Sequence, residues 1–329
     1  MVKVEFPNLF QVVRPELNAL ETYLHDDLRE AREGVREGVS HLLAGGGKRV
    51  RPALVFLAAR FGKDAQSPQI MKVAAATEMI HMATLIHDDI LDEALLRRGV
   101  ATVHTAWNRR VAILAGDYLF ARALGLLAET RQPEATLIMS SVVRQMCDGE
   151  IQQNVAAMSG DLPTEADYLD RIGKKTALFL AESCRLGALM AGAEEWKQRV
   201  LYTFGWSMGL GFQIVDDLLD FTATSVAFGK VVGIDLRAGV LTLPLIHALL
   251  NSEEPEKTRL AKLAQSGGGG QSEWSELQSI LGRAGSFAYA QNVAQRLVTE
   301  AVDSLGVLPA NEAKEALLSM ASYVVEREA

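Results

Sequence analysis

Two clusters of aspartates share the pattern D-D-x-x-D, in which x is any residue. The first lies in residues 87–92 (HDDILD) and the second is residues 216–220 (DDLLD). On a helix, Asp88 and Asp92 lie on one face because they are four residues apart, whereas Asp89 points about 100° away. Like charges at this spacing destabilise an isolated helix by roughly 0.2–0.5 kcal/mol, so we expect a compensating divalent cation. Carboxylate oxygens suit Mg²⁺, which usually also binds the phosphates of a substrate.

A single acidic cluster is more often a solvated helix face than a metal site. Both clusters here follow apolar residues, which are Leu85 and Ile86 before the first cluster and Ile214 and Val215 before the second. Carboxylates beside core-like residues need partners, because an unpaired buried charge is costly. Two matching clusters in such surroundings therefore favour the metal-binding interpretation.

Cationic residues lie close to both aspartate clusters and in a glycine-rich segment. Residues 45–52 read GGGKRVRP, residues 97–98 are two arginines, residues 174–176 read KKT, and Lys230 follows the second cluster. Arginine and lysine recognise phosphate, and glycines permit close backbone approach. A helix predicted to begin at residues 174–176 would add the anion affinity of its N-terminus. Each cation alone is most often a surface charge, but together they indicate a site for Mg²⁺ and polyphosphate.

Two familiar phosphate-binding motifs are excluded. Lys48 is followed by Arg49 rather than by Ser or Thr, and the glycine spacing before it is not that of a P-loop. The pair Gly209 and Gly211 does not form a dinucleotide-binding fingerprint, because Ile214 occupies the position of the third glycine and no strand precedes it.

The rest of the pattern favours helices that would position these groups. Leu17, Leu20, Leu24 and Leu28 share one helical face, and an uninterrupted helical pattern over residues 71–86 leads into the first aspartate cluster. We find no sustained alternation of apolar and polar residues of the kind that strands show. Breaks at Gly and Pro separate segments long enough for about ten or more helices. The segment SGGGGQS at residues 266–272 reads as a flexible surface loop. We predict one all-α domain over residues 1–329.

Composition narrows the function classes. The 329 residues are 49% hydrophobic and carry a net charge of -8, which is typical of a globular chain and argues against nonspecific binding of nucleic acid. Two cysteines without CxxC spacing exclude a disulfide scaffold and fit the reducing cytosol. No signal-peptide pattern opens the chain, and the uncharged run over residues 200–215 contains polar residues and is too short to span a membrane, so it predicts a buried helix. We expect a cytoplasmic protein.

The motifs taken together resemble the trans-prenyl diphosphate synthase family. The resemblance rests on GGGKRVRP, HMATLIHDDILDEALLRRG, GKKTA and GFQIVDDLLDF, and it covers nearly the whole chain from about residue 42. The tract EMIHMATLIHDDILDEALLRRG followed by AGDYLFARAL is most similar to the catalytic component of two-component heptaprenyl diphosphate synthases. The resemblance implies an isoprenoid-synthase helical bundle with a central cavity and a condensation of isopentenyl diphosphate with an allylic diphosphate.

The resemblance also implies a role for each matching residue. The metal ligands are Asp88, Asp92 and Asp216, with Asp89, Asp217 and Asp220 as supporting carboxylates. The isopentenyl diphosphate site is formed by Lys48, Arg51, His81 and Arg98. The allylic diphosphate site and reaction centre comprise Arg97, Lys175, Thr176, Gln213 and Lys230. Up to three Mg²⁺ ions bridge the allylic diphosphate in this family. His81 alone would more often be a core histidine, and His87 fits that description as well.

One position departs from the family pattern. Where the family often reads G-K-x-T-L-P, residues 239–244 read GVLTLP, so Val240 replaces an expected cation. One diphosphate contact is therefore in doubt, while the core chemistry is not.

The product implied by the resemblance is a long all-trans polyprenyl diphosphate, heptaprenyl within a C30–C50 range, for quinone side chains made by membrane enzymes. Bulky aromatic residues upstream of the first aspartate motif limit chain length in short-chain members; here Ala76, Ile80 and Ala83 occupy that helix face. The alternatives are a farnesyl or geranylgeranyl diphosphate synthase, a terpene cyclase, and a noncatalytic subunit of a heteromeric synthase. The resemblance implies either a homodimer or a heteromer with a small noncatalytic subunit.

Overall fold

Helices make up most of the computed structural model, which describes residues 9–159, 162–222 and 233–326. The first half contains α1 Arg14–Asp27, α2 Glu33–Ala44, α3 Val50–Ala59, α4 Pro68–Leu91, α5 Val103–Ala106, α6 Arg109–Glu129 and α7 Pro133–Ser159. The second half contains α8 Glu165–Ile172, α9 Leu178–Met190, α10 Glu195–Thr222, α11 Ile234–Arg237, α12 Leu243–Asn251, α13 Glu256–Gln265, α14 Gln271–Arg283, α15 Ser286–Ser304 and α16 Glu312–Glu326. Short 3₁₀ turns cover Gln11–Val13, Leu28–Glu30 and Leu305–Val307. The predicted all-α fold class is confirmed.

The helix that leads into the first aspartate motif has clear start and stop signals. Proline at its first position, Pro68, needs no backbone donor there, and the helix then runs unbroken to Leu91. The N–H of Asp92 donates to the carbonyl of Asp88 at 2.8 Å. Because this is a helical hydrogen bond, the two carboxylates retain the four-residue spacing that the sequence predicts.

A two-stranded hairpin follows the first aspartate motif. Strands β1 (Leu96–Arg97) and β2 (Val100–Ala101) pair antiparallel, with Leu96 opposite Ala101. Arg98 and Gly99 form the turn with positive φ values of 53° and 79°. The sequence pattern missed this hairpin, because two residues per strand are too few to show an alternation.

The chain folds into two compact units. The first consists of Met1–Val143, Glu182–Tyr202 and Leu308–Leu317, and the second of Arg144–Ala181, Thr203–Val307 and Leu318–Ala329. Within the first unit α4 packs most extensively on α6, and a Cβ on Gly116 of α6 would lie 2.1 Å from His87 Nε2. His87 is therefore a packing residue. The single domain over residues 1–329 stays a prediction.

The core of the second unit includes stacked aromatic rings. Phe221 and Trp274 lie parallel with centroids 5.6 Å apart, among buried leucines of α12, α13 and α14. Gly268, in the predicted flexible loop, has φ 80°, and a Cβ there would lie 2.7 Å from the Trp274 ring. The loop covers residues 266–270 only, because Gln271 and Ser272 belong to α14, and glycines in it adopt left-handed backbone and permit close packing.

The predicted buried helix over residues 200–215 lies within α10, and most of its side chains are buried. Among the described helices, α6 is long and apolar enough to cross a membrane by length and composition alone. It also packs along α4, and 39% of its apolar window is buried.

Candidate active site

In the first aspartate motif, one carboxylate is buried and the other two lie closer to the surface. Asp89 is only 2% exposed and accepts from Arg97, from Nε at 2.9 Å and from the terminal NH₂ at 2.8 Å. Asp88 is partly buried and Asp92 is exposed on the same helix face. The geometry thus assigns Asp89 to holding the hairpin and leaves the outer pair, Asp88 and Asp92, at the surface where a cation can reach.

The hairpin also brings Arg98 to the glycine-rich segment. Its guanidinium donates to the carbonyl of Gly46, and a Cβ on Gly47 would lie 3.7 Å from that guanidinium and 2.6 Å from the guanidinium of Arg49. A side chain at position 47 would therefore collide with Arg49. The loop has to be glycine-rich to admit these cations close to its backbone.

Arg49 anchors this segment. It has a left-handed backbone with φ 47° immediately before α3, which costs about 1–3 kcal/mol for a residue with a side chain. Its guanidinium donates to Glu21 of α1 at 2.5 Å and to Glu78 of α4 at 2.7 Å. Glu78 is 3% exposed, and burial raises its pKa while Arg49 and Arg51 act to lower it. These ion pairs hold Lys48 and Arg51 in place on either side of Arg49.

His81 lies one turn beyond Glu78 on the same helix. Burial lowers the pKa of His81 well below its usual range, and the nearby charges of Arg51, Arg97 and Arg98 lower it further. Burial also lowers the pKa of Arg51 to about 10, so that residue stays charged at neutral pH. A neutral histidine among several guanidinium groups forms a cationic region with one N–H donor, which suits a polyphosphate.

In the second unit a chain of hydrogen bonds supports the second aspartate motif. Thr176 donates to Gln213 Oε1 at 2.8 Å, and Gln213 Nε2 donates to Asp217 Oδ1 at 2.7 Å. The hydroxyl of the buried Tyr168 donates to Asp217 Oδ2 at 2.7 Å. Both oxygens of Asp217 are therefore occupied, while its neighbour Asp216 is exposed on α10.

Asp220 fastens the backbone that follows the motif. Its carboxylate accepts from the N–H groups of Gly233, Ile234 and Asp235 at 3.1–3.3 Å. Asp235 thereby joins the cluster. Burial and the charge of Asp220 raise the pKa of Asp235 to about 6, and burial and the charge of Asp235 raise the pKa of Asp217 to about 7.

The GKKTA segment is a π-helical turn, Gly173–Ala177, between α8 and α9. The helix has already begun at Glu165, where Thr164 and Asp167 form a capping box. The prediction of a helix N-terminus at residues 174–176 was wrong, since the continuing helix occupies the N–H groups on which that anion site depended. A π turn inside a helix is instead a frequent feature of functional sites.

Close helix contacts set the position of this turn. A Cβ on Gly209 of α10 would lie 2.7 Å from the Cα of Ala177, so α10 approaches the turn closely one helical turn before Gln213. Lys175 forms an ion pair with Glu150 at 2.7 Å, and Lys174 forms one with Asp170 at 2.5 Å. The lysine that the resemblance assigns to a diphosphate therefore has a carboxylate partner in this structure.

Three further predictions concern Lys230, Val240 and the face of α4 that carries two alanines. Lys230 lies outside the described residues. Val240 lies in the turn after α11, where its N–H donates to the carbonyl of Asp235 at 2.9 Å. Ala76, Ile80 and Ala83 are all 0% exposed in α4, which agrees with their shared core face.

Within each unit the structure brings some of the predicted residues together. In the first unit Arg97 meets the first motif and Arg98 meets the glycine-rich segment; in the second, Thr176 and Gln213 meet the second motif. Sequence reasoning missed the supporting residues Arg49, Glu78, Tyr168 and Asp235. Arg49 lies in the cationic segment GGGKRVRP and Asp235 is an acid shortly after the second motif, and these are the two signals that could have found them.

The residues present fit a hydrated divalent cation. Among residues 9–159, 162–222 and 233–326, no three His, Cys, Asp or Glu side chains converge as they would in a closed metal cage. Mg²⁺ commonly keeps several waters and takes one or two carboxylates, which Asp88 and Asp92 can supply in the first unit and Asp216 in the second. Burial first, and the neighbouring carboxylates second, raise the pKa values of Asp217 and Asp235, and a nearby cation would offset the carboxylate repulsion.

The chain is similar to several known proteins. The family model described as polyprenyl synthetase matches residues 32–281. The chain is 39% identical over 327 residues to heptaprenyl diphosphate synthase component 2 of Geobacillus stearothermophilus, covering 95% of this chain and 99% of that protein. The solved structure of heptaprenyl diphosphate synthase from Staphylococcus aureus is 34% identical with a TM-score of 0.88, covering 99% of each chain. The polyprenyl synthase of Caulobacter crescentus, complexed with calcium and isoprenyl diphosphate, is 32% identical with a TM-score of 0.90 and covers 99% of this chain and 98% of that one.

Proposed function

The chain belongs to the polyprenyl synthetase family, and from this premise we propose that it makes heptaprenyl diphosphate. It is a prenyltransferase, and its substrates are isopentenyl diphosphate and an allylic diphosphate. The observation that carries the proposal is the pairing in each unit of one aspartate motif with cationic or polar groups: Asp89 with Arg97, and Asp217 with Gln213. The component 2 relative from Geobacillus stearothermophilus supports the heptaprenyl product within a C30–C50 range.

In the first unit, the cationic region binds the diphosphate of isopentenyl diphosphate. Lys48, Arg51 and Arg98 supply charge to its oxygens, and the neutral His81 supplies one N–H. The ion pairs of Arg49 keep the loop in the conformation that presents Lys48. Binding at this region fixes the C=C bond of isopentenyl diphosphate so that it can attack an allylic carbon.

The allylic diphosphate is held by Arg97, Lys175, Thr176, Gln213 and Lys230, together with the metal-binding aspartates Asp88, Asp92 and Asp216. When bound, Mg²⁺ stabilises the negative charge that develops on the diphosphate as the allylic C–O bond breaks. Lys175 exchanges its ion pair with Glu150 for the substrate. The C=C bond then attacks the allylic cation, a C–C bond forms, and the departing diphosphate accepts the proton that is lost.

The cation intermediate has to be kept from water. Apolar side chains on α4 directly before Asp88, including Met82, Ala83 and Ile86, are at most 3% exposed, so water is excluded from this stretch of the helix. Small residues at Ala76 and Ala83 leave room for elongation past the length at which an aromatic side chain would stop it.

The name component 2 of the Geobacillus relative favours a heteromeric enzyme. A smaller noncatalytic subunit would complete the elongation cavity of this cytoplasmic chain. The long product would go to membrane enzymes that attach quinone side chains. A noncatalytic role for this chain itself is disfavoured, because both aspartate motifs are intact.

Incubation of the purified protein with farnesyl diphosphate, labelled isopentenyl diphosphate and Mg²⁺ tests the proposal, with products dephosphorylated and sized by chromatography. We expect weak activity alone and C35 product after addition of extract from a source of the partner subunit. Full long-chain activity from a pure homodimer would refute the heteromer. A product ending at fifteen or twenty carbons under both conditions would favour a short-chain synthase, and a cyclic product a terpene cyclase.

A further inference from the structure

A cavity in the second unit is lined by none of the predicted site residues. Its volume is about 390 Å³, and it is lined by residues of α7, α8, α11, α12 and α13 and of the loop after α13. A volume of this size falls within the range of small-molecule sites.

The wall of this cavity is apolar on one part and cationic on another. Leu162, Leu241, Leu249 and Ala261 are among the apolar lining residues. The charged lining residues are Arg171, Arg237 and Lys257, and none of the lining residues that the structure describes is acidic. Three cations therefore lie beside an apolar floor. This combination matches a molecule with an apolar tail and an anionic head.

Arg171 is built into the cavity wall. It is 7% exposed, and one terminal NH₂ donates to the carbonyl of Leu241 at 2.8 Å. A guanidinium has five N–H donors, and this contact uses one of them. Within the described residues, neither Arg237 nor Lys257 forms an ion pair with a carboxylate within 4.0 Å, and Lys257 is half-buried. The head of a bound anion would therefore meet cations that already face the cavity.

We propose that this cavity is a binding site for an amphipathic anion, an aliphatic or isoprenoid chain that carries one carboxylate or phosphate. The tail lies against the leucines and alanines, and the head lies among Arg171, Arg237 and Lys257. Recognition of the head by several donors explains why both carboxylates and phosphates qualify, and burial of the tail supplies the remaining affinity.

Two structural links join the cavity to the second aspartate motif. The guanidinium of Arg171 lies 5.5 Å from the centroid of the Tyr168 ring, and the Tyr168 hydroxyl donates to Asp217. Leu236 and Arg237 of the wall belong to α11, whose first turn Asp220 caps. Occupancy of the cavity should therefore change the magnesium dependence of turnover. This effect on turnover rests on the proposed function, whereas binding of the anion to the cavity does not.

The test is isothermal titration of the full-length protein with decanoate and, separately, with geranyl monophosphate, both with excess Mg²⁺ and inorganic diphosphate to occupy the proposed active site. Decanol serves as the neutral probe. We expect one site per chain for at least one of the two anions and at least about tenfold weaker binding of decanol. Tighter binding of decanoate would identify a fatty carboxylate as the ligand type, and tighter binding of geranyl monophosphate an isoprenoid phosphate.

Variants locate the site. Lys257→Glu and, as a second surface change, Arg237→Glu should each weaken binding of the anion about tenfold, and Ala261→Phe should abolish it by filling the floor. Lys262→Glu is the matched control, because Lys262 is exposed on the same helix and does not line the cavity; its affinity should equal that of the wild type. The proposal is overturned if neither anion binds the wild type, or if Lys257→Glu and Arg237→Glu bind as tightly as Lys262→Glu.

Discussion

Arg49 Nη1 lies 2.7 Å from Glu78 Oε1, and this buried ion pair joins the glycine-rich segment to the middle of α4. Arg49 keeps a left-handed backbone at φ 47°, a conformation that surrounding contacts have to maintain. Glu78 lies three residues before His81. The same carboxylate thus positions both the loop that carries Lys48 and the helix that carries the histidine.

Glu78→Gln tests this positioning role. The change keeps the shape of the side chain but removes the charge that holds Arg49, so Lys48 and Arg51 lose their fixed position. We expect the KM for isopentenyl diphosphate to rise about tenfold, equivalent to ~1.4 kcal/mol, with much less change in kcat. The free energy of unfolding should fall by about 1–3 kcal/mol.

The matched control is Glu16→Gln, which removes a carboxylate from another ion pair of the same unit, with Arg60. It should leave the KM unchanged. Equal KM values for the wild type and Glu78→Gln in steady-state assays would show that Arg49 does not position the loop.

Tyr168→Phe tests the support of the second motif. Loss of the hydroxyl leaves one oxygen of the buried Asp217 without its 2.7 Å donor, and removal of such an outer partner weakens metal binding by about 10–100-fold. We expect the Mg²⁺ concentration for half-maximal turnover to rise about tenfold. Tyr289→Phe, which loses a 2.6 Å hydrogen bond to Glu165, should titrate like the wild type. Identical magnesium curves for the two variants would remove Tyr168 from the site.

Ala83→Phe tests the path of the growing chain. If the growing prenyl chain runs along α4 past Ala83, the phenylalanine ring should block it. The first condensations should still occur, and the product should shorten to about fifteen or twenty carbons. Ala74→Phe is the control, because it is equally buried but about 180° around the helix; it should lower stability without shortening the product. Unchanged product length in a folded Ala83→Phe variant would assign the alanines to helix packing alone.

Glu182 gives a prediction for pH dependence outside the site. Burial raises its pKa to about 7, Arg185 acts to lower it and Glu134 acts to raise it, and its Oε2 has no hydrogen-bond partner among the described residues. The folded state therefore binds a proton more tightly than the unfolded chain, so stability falls as pH rises from about 4.5 to about 7. We expect Glu182→Gln to exceed the wild type by on the order of 2 kcal/mol at pH 8 and to match it near pH 4.5. Urea denaturation at both pH values measures this, and an equal difference at both would contradict it.

Periodicity explains why the first motif was predictable. Four-residue spacing places Asp88 and Asp92 on one helix face whatever the rest of the chain does, and the hydrogen bond from Asp92 to the Asp88 carbonyl shows that the helical spacing persists. The sequence does not predict which aspartate of each motif is buried in hydrogen bonds and which stays closer to the surface. This difference depends on the long-range partners of Asp89 and Asp217, which are Arg97 and Tyr168.

The π turn shows the limit of local patterns. The sequence identifies its lysines and threonine from their types but predicts that a helix begins at them, whereas the helix begins at Glu165. In the structure the Trp206 ring packs closely against Gly173. A Cβ at position 173 would lie 2.8 Å from that ring. Packing between distant segments, rather than local propensity, decided the backbone at this site.

We propose that both aspartate motifs serve one magnesium-dependent ionisation of the allylic diphosphate. Turnover of Asp88→Ala and Asp216→Ala, measured at saturating Mg²⁺ alongside circular dichroism on the same samples, tests it most directly. Asp26→Ala is the control, since Asp26 forms an exposed pair with Arg29 and should retain full turnover. We expect each motif variant to stay folded while its turnover falls by at least ~10²-fold, because the negative charge on the leaving group loses its counterion. Near wild-type turnover in either folded variant would contradict the account.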